Sequence, residues 1–161
     1  MGLVELVQIV KRCAQVRVPE RAWKMQFDDE IRRILTETRV IAVVGWSPKP
    51  DRPSHGVARF LSQRGYIVIP VNPGQAGLAA LGTTVRAGLD DIEEPIDMVD
   101  VFRRSEEVMP VVEQALRLPS VKTVWMQLGV VSDAAAALAR ARGLAVVMDR
   151  CPAIEIARLR L

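Results

Sequence analysis

Lys49 and Arg52 follow a single glycine, Gly45, that closes the apolar run Val40–Val44, and a helical pattern opens just beyond them at Ser54-His55-Gly56. A buried parallel strand that passes through a glycine turn into a helix N-terminus is a common phosphate-holding device of α/β proteins. Gly45 has no Cβ, so it can take a positive φ and let a ligand approach the backbone. The following amides, and the helix end at Ser54, then offer unpaired N–H groups and the positive end of a helix dipole. Two mobile cations beside such donors suit an anionic, nucleotide-like ligand. One glycine is a weak signal, and an ordinary strand-to-helix turn with a solvated basic loop would use the same residues.

Other chemistries fit less well. A dinucleotide dehydrogenase needs G-x-G-x-x-G and an acidic residue after the second strand, whereas this chain has one glycine and Asn72-Pro73 there. An NAD(P)-binding oxidoreductase-type domain therefore stands only as the alternative that the fold class suggests. Ser105-Glu106-Glu107 follows the third strand, but carboxylates at a helix start complement the dipole. No G-K-[ST] follows the glycine, which excludes a P-loop. The only histidine, His55, has no nucleophile-elbow serine to serve and reads as a solvent-facing or ligand-flanking residue. Cys13 and Cys151 are far apart and lack metal-ligand spacing, so neither a zinc site nor a disulfide framework is expected.

Size and charge agree with a small-molecule binder. The 161 residues suffice for one domain, and half are hydrophobic. The formal net charge of +3 comes mostly from arginines spread along the chain, which favours small anions at least as well as nucleic acid. No aromatic-basic interleaving of the RNA-binding kind occurs, so no nucleic-acid partner is expected. No apolar run reaches membrane-spanning length and no signal-peptide pattern opens the chain, so no membrane partner is expected and the default location is cytoplasmic.

The elements that must position these residues alternate regularly. Val40–Val44, Tyr66–Val71, Asp97–Phe102, Thr123–Met126 and Ala145–Met148 read as buried strands. Helical patterns lie at Ser54–Gln63, Ser105–Arg117 and Ser132–Arg142, each with a serine able to cap it, and Gly65 and Gly143 close two of them. This βαβ series predicts an α/β fold, a doubly wound, five-stranded parallel sheet of Rossmann-like kind. Pro73–Leu89 reads as a loop with a short helical turn at either end, in which Thr83-Thr84-Val85 could form a short edge strand. We expect the strand order 3-2-1-4-5, with a ligand crevice between the strands ending at Val44 and Phe102. Asp28–Thr38 predicts a helix with Ile31, Ile34 and Leu35 on one face. Residues 1–27 form an expected helical extension, with an amphipathic stretch at Leu3–Gln15, before a domain spanning 28–161; Met25 is an alternative start. The Leu3–Gln15 face is expected to pack on the domain's own core or across a homodimer rather than on a partner enzyme.

Five segments in register carry a resemblance. They are Ile41–Ser54, Val68–Pro73, Val99–Val108, Val124–Val130 and Val147–Pro152. Together they resemble the small, single-domain CoA-binding protein family and, more distantly, the CoA-binding N-terminal domain of the succinyl-CoA synthetase α-subunit. The resemblance implies a Rossmann-like domain that binds coenzyme A or an acyl-CoA as a non-catalytic carrier, sensor or buffering module. It implies that Gly45, Trp46 and Ser47 lie against the CoA diphosphate, and that Lys49 and Arg52 meet phosphate charge. Val71, Asn72 and Pro73 would flank the adenine and ribose. Phe102, Arg103 and Val108 would line the other wall, and Gln127 and Gly129 would face the pantetheine. Relative to the family, Trp46 replaces a commonly small residue and either stacks on the ligand or narrows the cleft, and His55 replaces a common tyrosine. Cys151, expected in a tail turn, is weighed as a buried structural thiol or as the partner of a mixed disulfide with CoA. Asp149 and Arg150 are expected to tie down that tail.

Overall fold

Continuously apolar segments assemble the centre of the molecule. The computed structural model describes residues 20–161. The strands are β1 (Val40–Val44), β2 (Ile67–Val71), β3 (Ala79–Ala80), β4 (Thr83–Thr84), β5 (Met98–Val101), β6 (Thr123–Met126) and β7 (Ala145–Val147). Five of them pair in parallel in the order β2-β1-β5-β6-β7, while β3 and β4 form a small antiparallel ladder. The doubly wound α/β architecture is as expected, but the strand order is not. Counting only the five main strands, it is 2-1-3-4-5. Residues Met98–Val101 are buried throughout and need a neighbour on each side. The second strand contains Pro70, which has no N–H to give a ladder and therefore suits an edge. Among the described residues its outer side carries only the bridge from Val71 to Arg86.

The helices are α1 (Glu20–Glu37), α2 (Pro53–Gln63), α3 (Val108–Ala115), α4 (Asp133–Ala141) and α5 (Pro152–Leu159). Alternation along the strands sends Ile41 and Val43 to one face and Ala42 and Val44 to the other. On the first face Ile31, Ile34 and Leu35 of α1 pack with Ala58 and Leu61 of α2 and Ile156 and Leu159 of α5. On the second, Val108, Val111 and Val112 of α3 pack with Ala135, Ala136 and Ala139 of α4. Helix α1 starts earlier than expected and runs through the boundary placed at residue 28. The stretch Leu3–Gln15 and Cys13 lie outside the described residues.

The ends of the helices correct the sequence reading in part. Only Ser132 acts as a cap, accepting from the Ala135 amide. Ser54 lies inside α2, whose N-cap is Arg52 with Pro53 in the first turn. Ser105 opens a 3-10 turn, and α3 begins only at Val108. Gly65 and Gly143 do close α2 and α4. In each case the glycine amide and the next amide bond back to carbonyls of the last turn, Gly65 to Ser62 with Tyr66 to Leu61, and Gly143 to Arg140 with Leu144 to Ala139. Short 3-10 turns at Pro73–Gln75 and Leu89–Asp91 flank the β3–β4 ladder, which matches the loop reading of this segment. The expected tail turn after residue 150 is instead the N-terminus of α5, with Cys151 at its N-cap.

Candidate functional site

Parallel strands leave a crevice at their C-terminal ends wherever neighbouring crossovers run to opposite faces. Here that point lies between β1 and β5, and it opens a cleft of about 730 Å³. Gly45, Trp46, Ser47, Lys49 and Arg52 from the loop after β1 line it, with Asn72 after β2, Phe102 and Arg103 after β5, and Gln127 after β6. These nine sequence-assigned residues converge. Four others do not. Val71 and Val108 are core residues, Val108 entirely enclosed, and Pro73 and Gly129 lie at the surface outside the lining. Val71 and Val108 carry the apolar periodicity of β2 and α3, so packing claims their side chains.

Gly45 sets the shape of the turn. Its φ is +89°, and a Cβ there would stand 2.2 Å from the Phe102 carbonyl oxygen. The β1 and β5 ends can close to this distance only at a residue with no side chain. The expected row of free amides is partly spent, because Gly45 and Trp46 both donate to the Val71 carbonyl. The Ser47 and Ser54 amides are left without an internal partner among the described residues. Asn72 clamps the loops: its Nδ2 donates to the Trp46 carbonyl at 2.7 Å and its Oδ1 accepts from the Gly74 amide. Ser47 is occupied too, its hydroxyl accepting from the Lys49 amide.

Trp46 is 3% exposed and stacks on His55, with ring centroids 6.1 Å apart. It is therefore sunk into the core on the α2 side of the sheet and exposes little surface to the cleft it lines. The indole Nε1 is buried without a partner. His55 is half-buried, not solvent-facing; its Nδ1 lies 3.1 Å from the Ser47 carbonyl, so the ring braces the basic loop from behind.

Charge is uneven across the cleft. Lys49, Arg52 and Arg103 form no ion pair among the described residues. Arg104 also lines the cleft, but it pairs with Glu106 and Glu107 at 3.5 and 3.2 Å. The mouth therefore presents three unpaired cations, an arrangement suited to an anion. Arg104, Glu107, Val57, Leu128 and Val130 are lining residues that sequence reasoning missed. All but Val57 belong to segments already singled out, yet the apolar three carry no pattern that separates cleft from core.

The floor is formed beyond β6. Cys151 lines it, 5% exposed, and burial pushes its thiol pKa up, away from the thiolate. The Trp125 indole donates to the Arg150 carbonyl at 2.7 Å, and the Asp149 carboxylate accepts from the Gly129 amide at 2.7 Å. Asp149 and Arg150 thus fix the strand-to-helix corner, as expected of them. Asp100, missed by the sequence reading as a candidate, is fully buried in β5 between Val43 and Trp125. Burial pushes its carboxyl up to about 7, and the Gln127 amide, donating to both oxygens at 2.8 and 3.0 Å, offsets part of that cost. No group of three metal-ligating side chains occurs among the described residues, and no helix there is long and apolar enough to cross a membrane.

A family model described as CoA binding domain matches residues 39–157. The chain is 42% identical over 122 residues to YneT of Bacillus subtilis (strain 168), an uncharacterized protein, covering 76% of this chain and 88% of that one. Among solved structures it is similar to cell-free ID.343 from Thermus thermophilus, with 38% identity and a TM-score of 0.78, covering 82% of this chain and 98% of the other. A hypothetical protein from Pyrococcus horikoshii OT3 gives 38% identity and a TM-score of 0.77, with 83% and 92% covered.

Proposed function

The chain belongs to the CoA binding domain family, and on that footing we propose that it binds coenzyme A, free or acylated, in the cleft between β1 and β5, as a non-catalytic carrier, sensor or buffer. The observation that carries this reading is the juxtaposition of Gly45, held at positive φ against Phe102, with the unpaired cations Lys49, Arg52 and Arg103 at the mouth of one cleft. A phosphate-rich ligand gains charge-assisted hydrogen bonds there and meets the open Ser47 and Ser54 amides. The pantetheine arm then runs toward Gln127 and Cys151. Asn72 argues against NAD, because both polar atoms of its side chain are engaged where a ribose-binding carboxylate would stand. A non-catalytic role is supported by the engagement of Ser47 and His55 with the loop itself and by the raised thiol pKa of Cys151.

Isothermal titration of unfolded and refolded protein, stripped of carried-over ligand, tests the proposal. CoA is expected to bind with a dissociation constant in the micromolar range or tighter, while NAD and NADP give no heat. Binding of NAD(P) in preference to CoA, or of neither, would overturn it.

A further inference from the structure

Gln127 is placed to read a ligand, but an amide reads differently according to which of its ends faces outward. Its Nε2 is committed to Asp100, donating to both carboxylate oxygens. Its Oε1 takes no hydrogen bond from the described residues and is not among the buried unpaired atoms, so it reaches solvent at the cleft surface that Gln127 lines. Asp100 has no other hydrogen-bond partner among the described residues, and it has no cation beside it. A carboxylate buried at such cost for the sake of one amide contributes little to stability. We propose that Asp100 is a positioning residue: it locks the Gln127 side chain with its carbonyl oxygen toward the cleft, and so selects a ligand arm that presents an N–H donor at that point.

This rests on the CoA reading, in which the amide groups of the pantetheine arm supply the donor. An ionised Asp100 can only accept, which forces Nε2 inward and Oε1 outward. A protonated Asp100 can also donate to Oε1, and the amide is then free to turn over. The carboxyl titrates about pH 7, so both states lie within the accessible pH range. The Cys151 thiol is close enough to feel the Asp100 charge, and burial together with that charge keeps it protonated.

The test compares CoA with adenosine 3′-phosphate 5′-diphosphate, which is CoA without its arm. Replacing Asp100→Leu should weaken CoA about tenfold, the order expected for one lost polar contact, and leave the nucleotide within about twofold. Asp100→Asn, which keeps the shape but can pair with the amide in either orientation, should cost CoA about two- to threefold. As pH drops from 8 to 6, the preference for CoA over the nucleotide should fall in the wild type relative to Asp100→Asn; identical profiles in the two proteins would count against the orientation lock. Only the 3′-phosphate is common to both ligands; the nucleotide also has a terminal phosphate that titrates in this range, and comparison of the wild type with Asp100→Asn on the same ligand pair cancels both. Equal losses of both ligands, or no loss of either, would overturn the positioning role while leaving CoA binding intact. Failure of wild-type protein to bind CoA would sink the binding reading and this inference with it.

Discussion

Gly45 illustrates how much one residue can decide. A side chain there would meet the Phe102 carbonyl at 2.2 Å while also straining a φ of +89°. Neither backbone segment can retreat easily, since Gly45 and Trp46 are tied to the Val71 carbonyl and the Phe102 amide bonds to Val44. Gly45→Ala should destabilise the fold by about 2–4 kcal/mol and abolish detectable CoA binding, as read by urea denaturation and titration. A variant with unchanged urea midpoint and CoA affinity would show that the turn is not the constraint. The need for glycine was legible in the sequence, because it ends an apolar strand just before a basic loop. The roles of Asn72 and Trp46 were not. The first clamps two loops through a carbonyl 26 residues away, and the second is sunk beside His55 in a core that it shares with residues such as Ile31 and Trp125.

At the scale of elements, α5 is the part that local reasoning missed. Its eight residues are too few to announce a helix by periodicity, and its stability comes from tertiary contacts. Glu155, 3% exposed, accepts from Arg150 at 3.1 Å and from Arg158 at 2.6 Å, and Arg158 reaches across to Asp28 of α1. Its hydrogen bonds hold the Asp28 carboxyl below its ordinary value. Arg150 also lies over the Phe27 ring at 4.9 Å, so one buried carboxylate organises the junction of α1, α5 and the Cys151 corner. Glu155→Ala would leave two guanidinium groups without their shared acceptor. Because both are partly exposed, the expected loss is about 1–3 kcal/mol, below that for a fully buried pair. Urea denaturation would measure it, and a loss below ~0.5 kcal/mol would show that the network is ornamental to stability. The helix-end glycines were readable because their chemistry is local, whereas two of the three serine caps were displaced by Pro53 and by the 3-10 turn ahead of α3.

For the whole molecule, the buried Asp100 links the site to global stability. Its carboxyl lies at about 7 in the folded state against an ordinary value of 3.8. Below that ordinary value both folded and unfolded chains hold the proton, and the group costs nothing. As pH rises toward 7 the unfolded chain ionises first, so this group's contribution to stability falls, and above 7 the loss is complete. Asp100→Asn removes the effect. Its stability advantage over the wild type should therefore grow between about pH 4 and 7 and level off beyond, reaching at most ~4 kcal/mol. Urea midpoints at pH 4.5 and 8 would measure this, and parallel profiles would contradict it; other carboxylates cancel in the comparison. The sequence by itself determined the α/β class, the five central strands, the glycine turn with its cations and the resemblance to a CoA-binding family, because apolar runs, chain-breaking residues and short motifs act locally. The tertiary structure decided the strand order, the turning of Val71 and Val108 into the core, the pairing of Arg104, and the meeting of Asp100 with Gln127. Those outcomes depend on which strands become neighbours, and that is settled by burying both faces of the sheet at once rather than by any segment alone.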